Sequence, residues 1–151
     1  MRLLLVEDDL NKLERVRSFL VEEFPDLILE HAASLVSGLR VSRDFQPGLV
    51  VLDMTLPNYD GATDALTNRM RAFGGVEFIR QSVRRRQSAK IVVLTQFESF
   101  GEPPHVTSLE DLELDLRESF PDCYIGAVYY HAAQSEWKSK LRAHLIDLVG
   151  R

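Results

Sequence analysis

Two short apolar runs in this chain end on acids. Leu3-Leu4-Leu5-Val6 runs into Glu7-Asp8-Asp9, and Leu49-Val50-Val51-Leu52 runs into Asp53, which is followed by Met54-Thr55-Leu56-Pro57-Asn58-Tyr59-Asp60-Gly61. A short apolar run bounded by polar and turn-forming residues reads as a strand buried on both faces. Such a strand carries the residue that follows it to one end of a sheet, and here both strands carry carboxylates there. Several carboxylates in one crevice repel one another unless a divalent cation with a preference for oxygen ligands binds among them. The two runs together predict a Mg2+ site in which one carboxylate is free to act as a nucleophile.

The remaining sequence alternates in the same way. Leu10, Leu13, Val16, Leu20 and Phe24 recur at helical spacing, with Asp8 or Asp9 as the cap, and Pro25-Asp26 ends that helix. Residues 27–31 read as a second strand and 32–43 as a second helix, with Ser34 its cap and Leu35, Val36 and Leu39 facing inward. Helix-like stripes follow at 62–75 (Leu66, Met70, Phe73) and 76–85, then a fourth strand at 91–94 ending on Thr95. Residues 97–105 read as a loop. Thr107 with Glu110 three residues later has the form of a capping box for a helix reaching Phe120. A fifth strand at 124–130 precedes a last helix at 135–149, anchored by Trp137, Leu141, Leu145 and Leu148.

This order predicts an α/β fold, (βα)5, with a parallel sheet covered by helices on both faces. Open sheets of this kind bind ligands beyond the carboxyl ends of their strands. Glu7, Asp8, Asp53 and Thr95 all fall there.

The 151 residues suit one domain, and the formal net charge of −5 argues against general nucleic-acid binding. The run Arg84-Arg85-Arg86 reads as a solvated helix end. The single cysteine, Cys123, excludes an intrachain disulfide and reads as a packing residue. No apolar run approaches the roughly 18 residues needed to span a membrane. The chain opens on a strand with no basic leader, so the expected compartment is the cytoplasm. His31, His105 and His144 lack metal-site spacing.

The motifs Val6-Glu7-Asp8-Asp9, Leu52-Asp53-Met54-Thr55-Leu56-Pro57 with Asp60-Gly61, and Val93-Leu94-Thr95 resemble those of the receiver domain of two-component response regulators. The resemblance covers nearly the whole chain. It implies a flavodoxin-like three-layer sandwich with strand order 2-1-3-4-5. It implies Mg2+ held by Glu7, Asp8, Asp53 and the backbone carbonyl of Thr55. Asp53 would be the phosphoacceptor and Thr95 the switch residue. The donor would be a histidine kinase, a phosphotransfer protein or a small phosphorylated molecule. A downstream protein partner would read the change. The resemblance implies a signalling domain rather than an enzyme, with no nucleic acid or membrane among its partners, and it admits a homodimer.

The chain also departs from that family's pattern. The family has a lysine at the end of its fifth strand. Counting back from Trp137 and Leu141 places Tyr130 there, with His131 the neighbouring alternative. The same count puts Ala127 where the family has an aromatic switch residue. Gln96 stands where a small residue is usual and would partly cover Asp53. Residues 61–75 are an insertion before the third helix, and 97–106 an atypical loop. An alternative reading is therefore a pseudo-receiver that binds partners as an adaptor without phosphorylation.

Overall fold

The computed structural model describes residues 1–61 and 72–149. Five parallel strands form the central sheet: β1 (Arg2–Val6), β2 (Ile28–Ala32), β3 (Leu49–Leu52), β4 (Lys90–Thr95) and β7 (Tyr124–Tyr129). Their order is β2-β1-β3-β4-β7, so the fifth core strand takes the place expected of it in a 2-1-3-4-5 sheet. The helices are α1 (Leu10–Glu23), α2 (Leu35–Phe45), α3 (Gly74–Arg84), α4 (Leu109–Ser119) and α5 (Glu136–Val149).

The apolar runs are buried on both faces because side chains alternate along a strand. Leu3, Leu5, Leu49 and Val51 pack with Leu13, Val16 and Leu20 of α1 and Trp137, Leu141 and Leu145 of α5. Leu4, Val6, Val50 and Leu52 point the other way, toward Leu39 of α2, Phe78 and Ile79 of α3, and Leu112 and Leu116 of α4. Each fully buried aliphatic side chain stabilises the fold by about 1.5–3 kcal/mol relative to exposure. A parallel sheet covered on both faces is what the alternation predicts, and the flavodoxin-like strand order is the one the resemblance implies.

Several local expectations are corrected. Leu10 is 74% exposed, and α1 is instead turned so that Lys12, Leu13, Val16 and Leu20 face inward. Val36 is exposed, whereas Leu39 is buried. The cap of α4 is Ser108, whose hydroxyl accepts from Asp111 N at 3.1 Å. Thr107 belongs instead to a two-residue strand, β6 (Thr107–Ser108), paired antiparallel with β5 (Ser99–Phe100). The 97–106 loop thus contains half of a small hairpin, and Phe100 is buried while Phe97 is exposed. Within the insertion, Leu66 and Met70 lie outside the described residues; Phe73 is partly exposed at the entry to α3. Among the described residues no helix is long and apolar enough to cross a membrane.

Candidate functional site

The sheet register brings the acids together. Val6 lies opposite Leu52, and Asp53 N donates to Val6 O at 3.0 Å, so Glu7 and Asp53 leave adjacent strands side by side. One carboxylate oxygen from each of Glu7, Asp8 and Asp53 can be chosen so that all lie within 4.8 Å of one another. Glu7 and Asp53 are 3% and 4% exposed.

The β1–α1 turn fixes Glu7. Asp9 caps α1 by accepting from Asn11 N and Lys12 N, and its own N–H donates to Glu7 Oε2 at 3.0 Å. The other Glu7 oxygen lies 2.5 Å from Lys12 Nζ. Sequence reasoning passed over Lys12. The signal was its position, four residues before Val16 on the inward stripe and three after the end of the acidic run. The ammonium also donates to Leu94 O at 2.6 Å and stands 3.5 Å from Asp53 Oδ1.

Burial and the neighbouring Asp53 outweigh Lys12 and push the Glu7 carboxyl up to about 8. An acid whose folded pKa is raised favours the fold while protonated in it, so stability is fully present below the unfolded value of about 4.5 and is lost as pH rises through about 8. We expect the melting temperature measured in chelator to fall across that window. Saturating Mg2+ should flatten the fall, because an ion held by these residues would take the deprotonated carboxylates.

Asp53 Oδ1 is buried without a hydrogen bond, and Asp53 Oδ2 accepts from Thr55 Oγ1 at 3.4 Å. A buried carboxylate oxygen with no donor, beside two further carboxylates, fits a divalent cation that takes oxygen ligands.

The loop after Asp53 is tied to α2. Pro57 O and Asn58 O accept from Leu35 N and Val36 N, which are otherwise unpaired donors of the helix's first turn. Asp60 accepts from Ser37 Oγ at 2.8 Å, and hydrogen bonds from Ser34 and Ser37 hold its carboxyl below the usual range. Ser34 caps α2 as expected, in a capping box with Ser37.

A cleft of about 780 Å3 opens over the acids, lined by Asp8, Asp53, Thr55, Gln96, Phe97 and His105 among others. Gln96 is exposed on its wall. Thr95 is fully buried at the end of β4, with its hydroxyl accepting from Phe97 N at 3.3 Å. Tyr130 is 2% exposed; its ring packs on Trp137 at 5.0 Å and lies beneath Lys12 Nζ at 5.6 Å. Tyr130 therefore fills space behind the ammonium. His131 is exposed, as are Lys138 and Lys140 on α5.

No protein-family model matches the chain. It is 36% identical to the uncharacterized protein y4jR of Sinorhizobium fredii, over 98% of this chain and 99% of that one. It is 24% identical to the Detocs response regulatory protein DtcB of Enterobacter cloacae, over 98% and 100%. Among solved structures, a CheY-like response regulator receiver domain from Methanospirillum hungatei superposes with a TM-score of 0.65 at 19% identity, covering 98% of this chain and 92% of that one. The response regulator TrrA of Thermotoga maritima, solved with Mg2+ and BeF, gives 0.60 at 20% identity, covering 95% and 98%. The chain is thus related to y4jR along nearly its whole length, and its fold is that of CheY-like receiver domains.

Proposed function

We propose that the chain is one receiver domain over residues 1–151 and that Asp53 accepts a phosphoryl group with Mg2+ bound. The observation that carries this reading is the buried Asp53 carboxylate, one oxygen of which has no hydrogen bond, set at a strand end beside Glu7 and Asp8.

Glu7, Asp8, Asp53 and the Thr55 carbonyl would hold the ion. Bound there, Mg2+ would supply charge neutralisation for the incoming phosphoryl oxygens. The chain's own residues do the rest. The β3 ladder fixes Asp53, and the α2-anchored loop holds Thr55 and the residues after it. An Asp53 oxygen lone pair forms the new O–P bond as the donor's bond to phosphorus breaks. The leaving group departs with that electron pair. For acetyl phosphate the leaving group is acetate, and no proton need move. Alignment and charge, more than covalent activation, make a carboxylate competent for this step.

The product carries roughly −1.5 to −2 additional charge. Thr95, at the end of the neighbouring strand, is the residue whose hydroxyl would turn toward it. That rotation gives up the Phe97 N–H contact and so reaches the 97–106 loop. The donor would be a histidine kinase or phosphotransfer protein in the cytoplasm, and a protein partner would read the altered surface. The domain signals by this change and turns over no other substrate. The relative named as a Detocs response regulatory protein supports this reading.

Acetyl phosphate with Mg2+ should add the mass of one phosphoryl group to the intact protein, and chelator should prevent it. A protein that gains no such mass from acetyl phosphate or from any histidine kinase would overturn the reading in favour of the adaptor.

A further inference from the structure

We infer that Lys12, on α1, is the cation that pairs with the phosphoryl group on Asp53, in the absence of a lysine at the end of the last strand. The inference rests on the reading of Asp53 as the phosphoacceptor.

Lys12 is 2% exposed, an unusual state for a lysine without a dedicated partner set. Its ammonium has three donors. Glu7 Oε1 at 2.5 Å and Leu94 O at 2.6 Å engage two of them. The next acceptor is Asp53 Oδ1, at 3.5 Å and without a hydrogen bond. The ammonium is therefore anchored on two sides and aimed on the third at the oxygen-bearing end of Asp53. An oxygen brought in on Asp53 meets a cation already desolvated and held, so little reorganisation is needed to pair with it.

Tyr130 explains why this cation comes from a helix. Its ring occupies the end of the last strand, closes the site from below and lies 5.6 Å from Lys12 Nζ. With that ring in place, a charge can reach the acids from α1, and the four-carbon stem of Lys12 spans the gap. The Asp9 cap sets the helix register that points Lys12 inward. In the transfer step Lys12 donates a hydrogen bond and retains its proton. The bond that forms is Asp53 O–P, the bond that breaks is the donor's, and the donor keeps the electron pair.

The test is calorimetric titration of the full chain with Mg2+ alone and then with beryllofluoride in saturating Mg2+. Lys12→Met should bind beryllofluoride at least about tenfold more weakly than wild type, the scale of a lost charge-assisted hydrogen bond. It should bind Mg2+ alone as tightly as wild type or more tightly, because a positive charge has left the carboxylates. A merely structural role for Lys12 would weaken both together, and that result would overturn the inference. So would beryllofluoride affinity within about twofold of wild type. If Lys12→Met does not fold, Lys12→Gln keeps donors for Glu7 and Leu94 without the charge and is read in the same way. Wild type that binds no beryllofluoride would overturn the phosphoacceptor reading, and the Lys12 assignment with it. Wild type that binds it, beside a variant that binds it equally, overturns Lys12 alone.

Discussion

Asp53→Asn will gain no phosphoryl mass from acetyl phosphate, and in chelator it will melt at a higher temperature than wild type. Both effects have one cause. In the wild-type site Glu7 and Asp53 are buried carboxylates side by side, and Lys12 lies 2.5 Å from one and 3.5 Å from the other. One ammonium neutralises one of the two. Without a metal the second charge is relieved only by a proton, which is why the Glu7 carboxyl is pushed up to about 8, and Asp53 Oδ1 has no hydrogen bond. Asparagine keeps the volume and removes the charge. The Asp53 contribution that raises the Glu7 carboxyl then disappears, leaving a Glu7–Lys12 pair of balanced charge. A gain of about 1 kcal/mol would shift the melting temperature of a domain this size by roughly 2–4 °C. In Mg2+ the order should reverse, since a ligand at 100 times its Kd stabilises the wild type by about 2.7 kcal/mol. Thermal melts in chelator and in Mg2+ check both signs. A variant less stable than wild type in both buffers would show that Asp53 is there for packing.

Gly74→Ala and Gly75→Ala will each destabilise the fold and weaken Mg2+ binding. Both residues open α3, where alanine would ordinarily be favoured over glycine by about 0.5–1 kcal/mol. Here the opposite wins, because a methyl group has no room. A Cβ at Gly74 would lie 2.5 Å from Leu56 O, and one at Gly75 would lie 2.8 Å from both Asp53 O and Met54 Cα. These are backbone atoms of the loop that leaves β3, and Gly75 N also donates to Met54 O at 2.8 Å. Relief requires α3 or the loop to move, at a cost of roughly 1–3 kcal/mol for overpacking. Moving the loop disturbs Asp53 and Thr55, whose hydroxyl donates to Asp53 Oδ2 at 3.4 Å. Urea denaturation and Mg2+ titration of each variant should therefore worsen together. Lost stability with unchanged Mg2+ affinity would separate α3 from the site.

The contrast between Asp53 and Lys12 shows what could be read in the sequence. Asp53, Glu7 and Asp8 follow apolar runs too short for helices, and in a parallel sheet all such run ends lie at one edge. That inference needs only local pattern and the rule that side chains alternate. The strand order needed the family resemblance, and the register then placed the acids side by side. Lys12 is different. A lysine on an amphipathic helix is normally on the wet face, and whether position 10 or position 12 turns inward depends on where the cap sets the helix. Leu10 proved exposed and Lys12 buried. The groups around its ammonium, Glu7, Leu94 O and Asp53, come from the ends of β1, β4 and β3, a convergence with no trace in local spacing. Tyr130 lies one residue beyond the last strand rather than at its end, and its ring could be understood only beside Lys12. The shift from Thr107 to Ser108 as the α4 cap has the same character. Both residues can cap and both pair in the small hairpin, but Ser108 directly precedes the helix and its hydroxyl is the one that accepts from Asp111 N.

The most direct test is to treat the protein with acetyl phosphate and Mg2+, reduce it with borohydride and map the peptides. Borohydride converts an aspartyl phosphate to homoserine and leaves free carboxylates unchanged. The account predicts homoserine at position 53, abolished by chelator and absent from Asp53→Asn. Homoserine at another aspartate, or unmodified Asp53 under conditions that phosphorylate a control receiver, would contradict it.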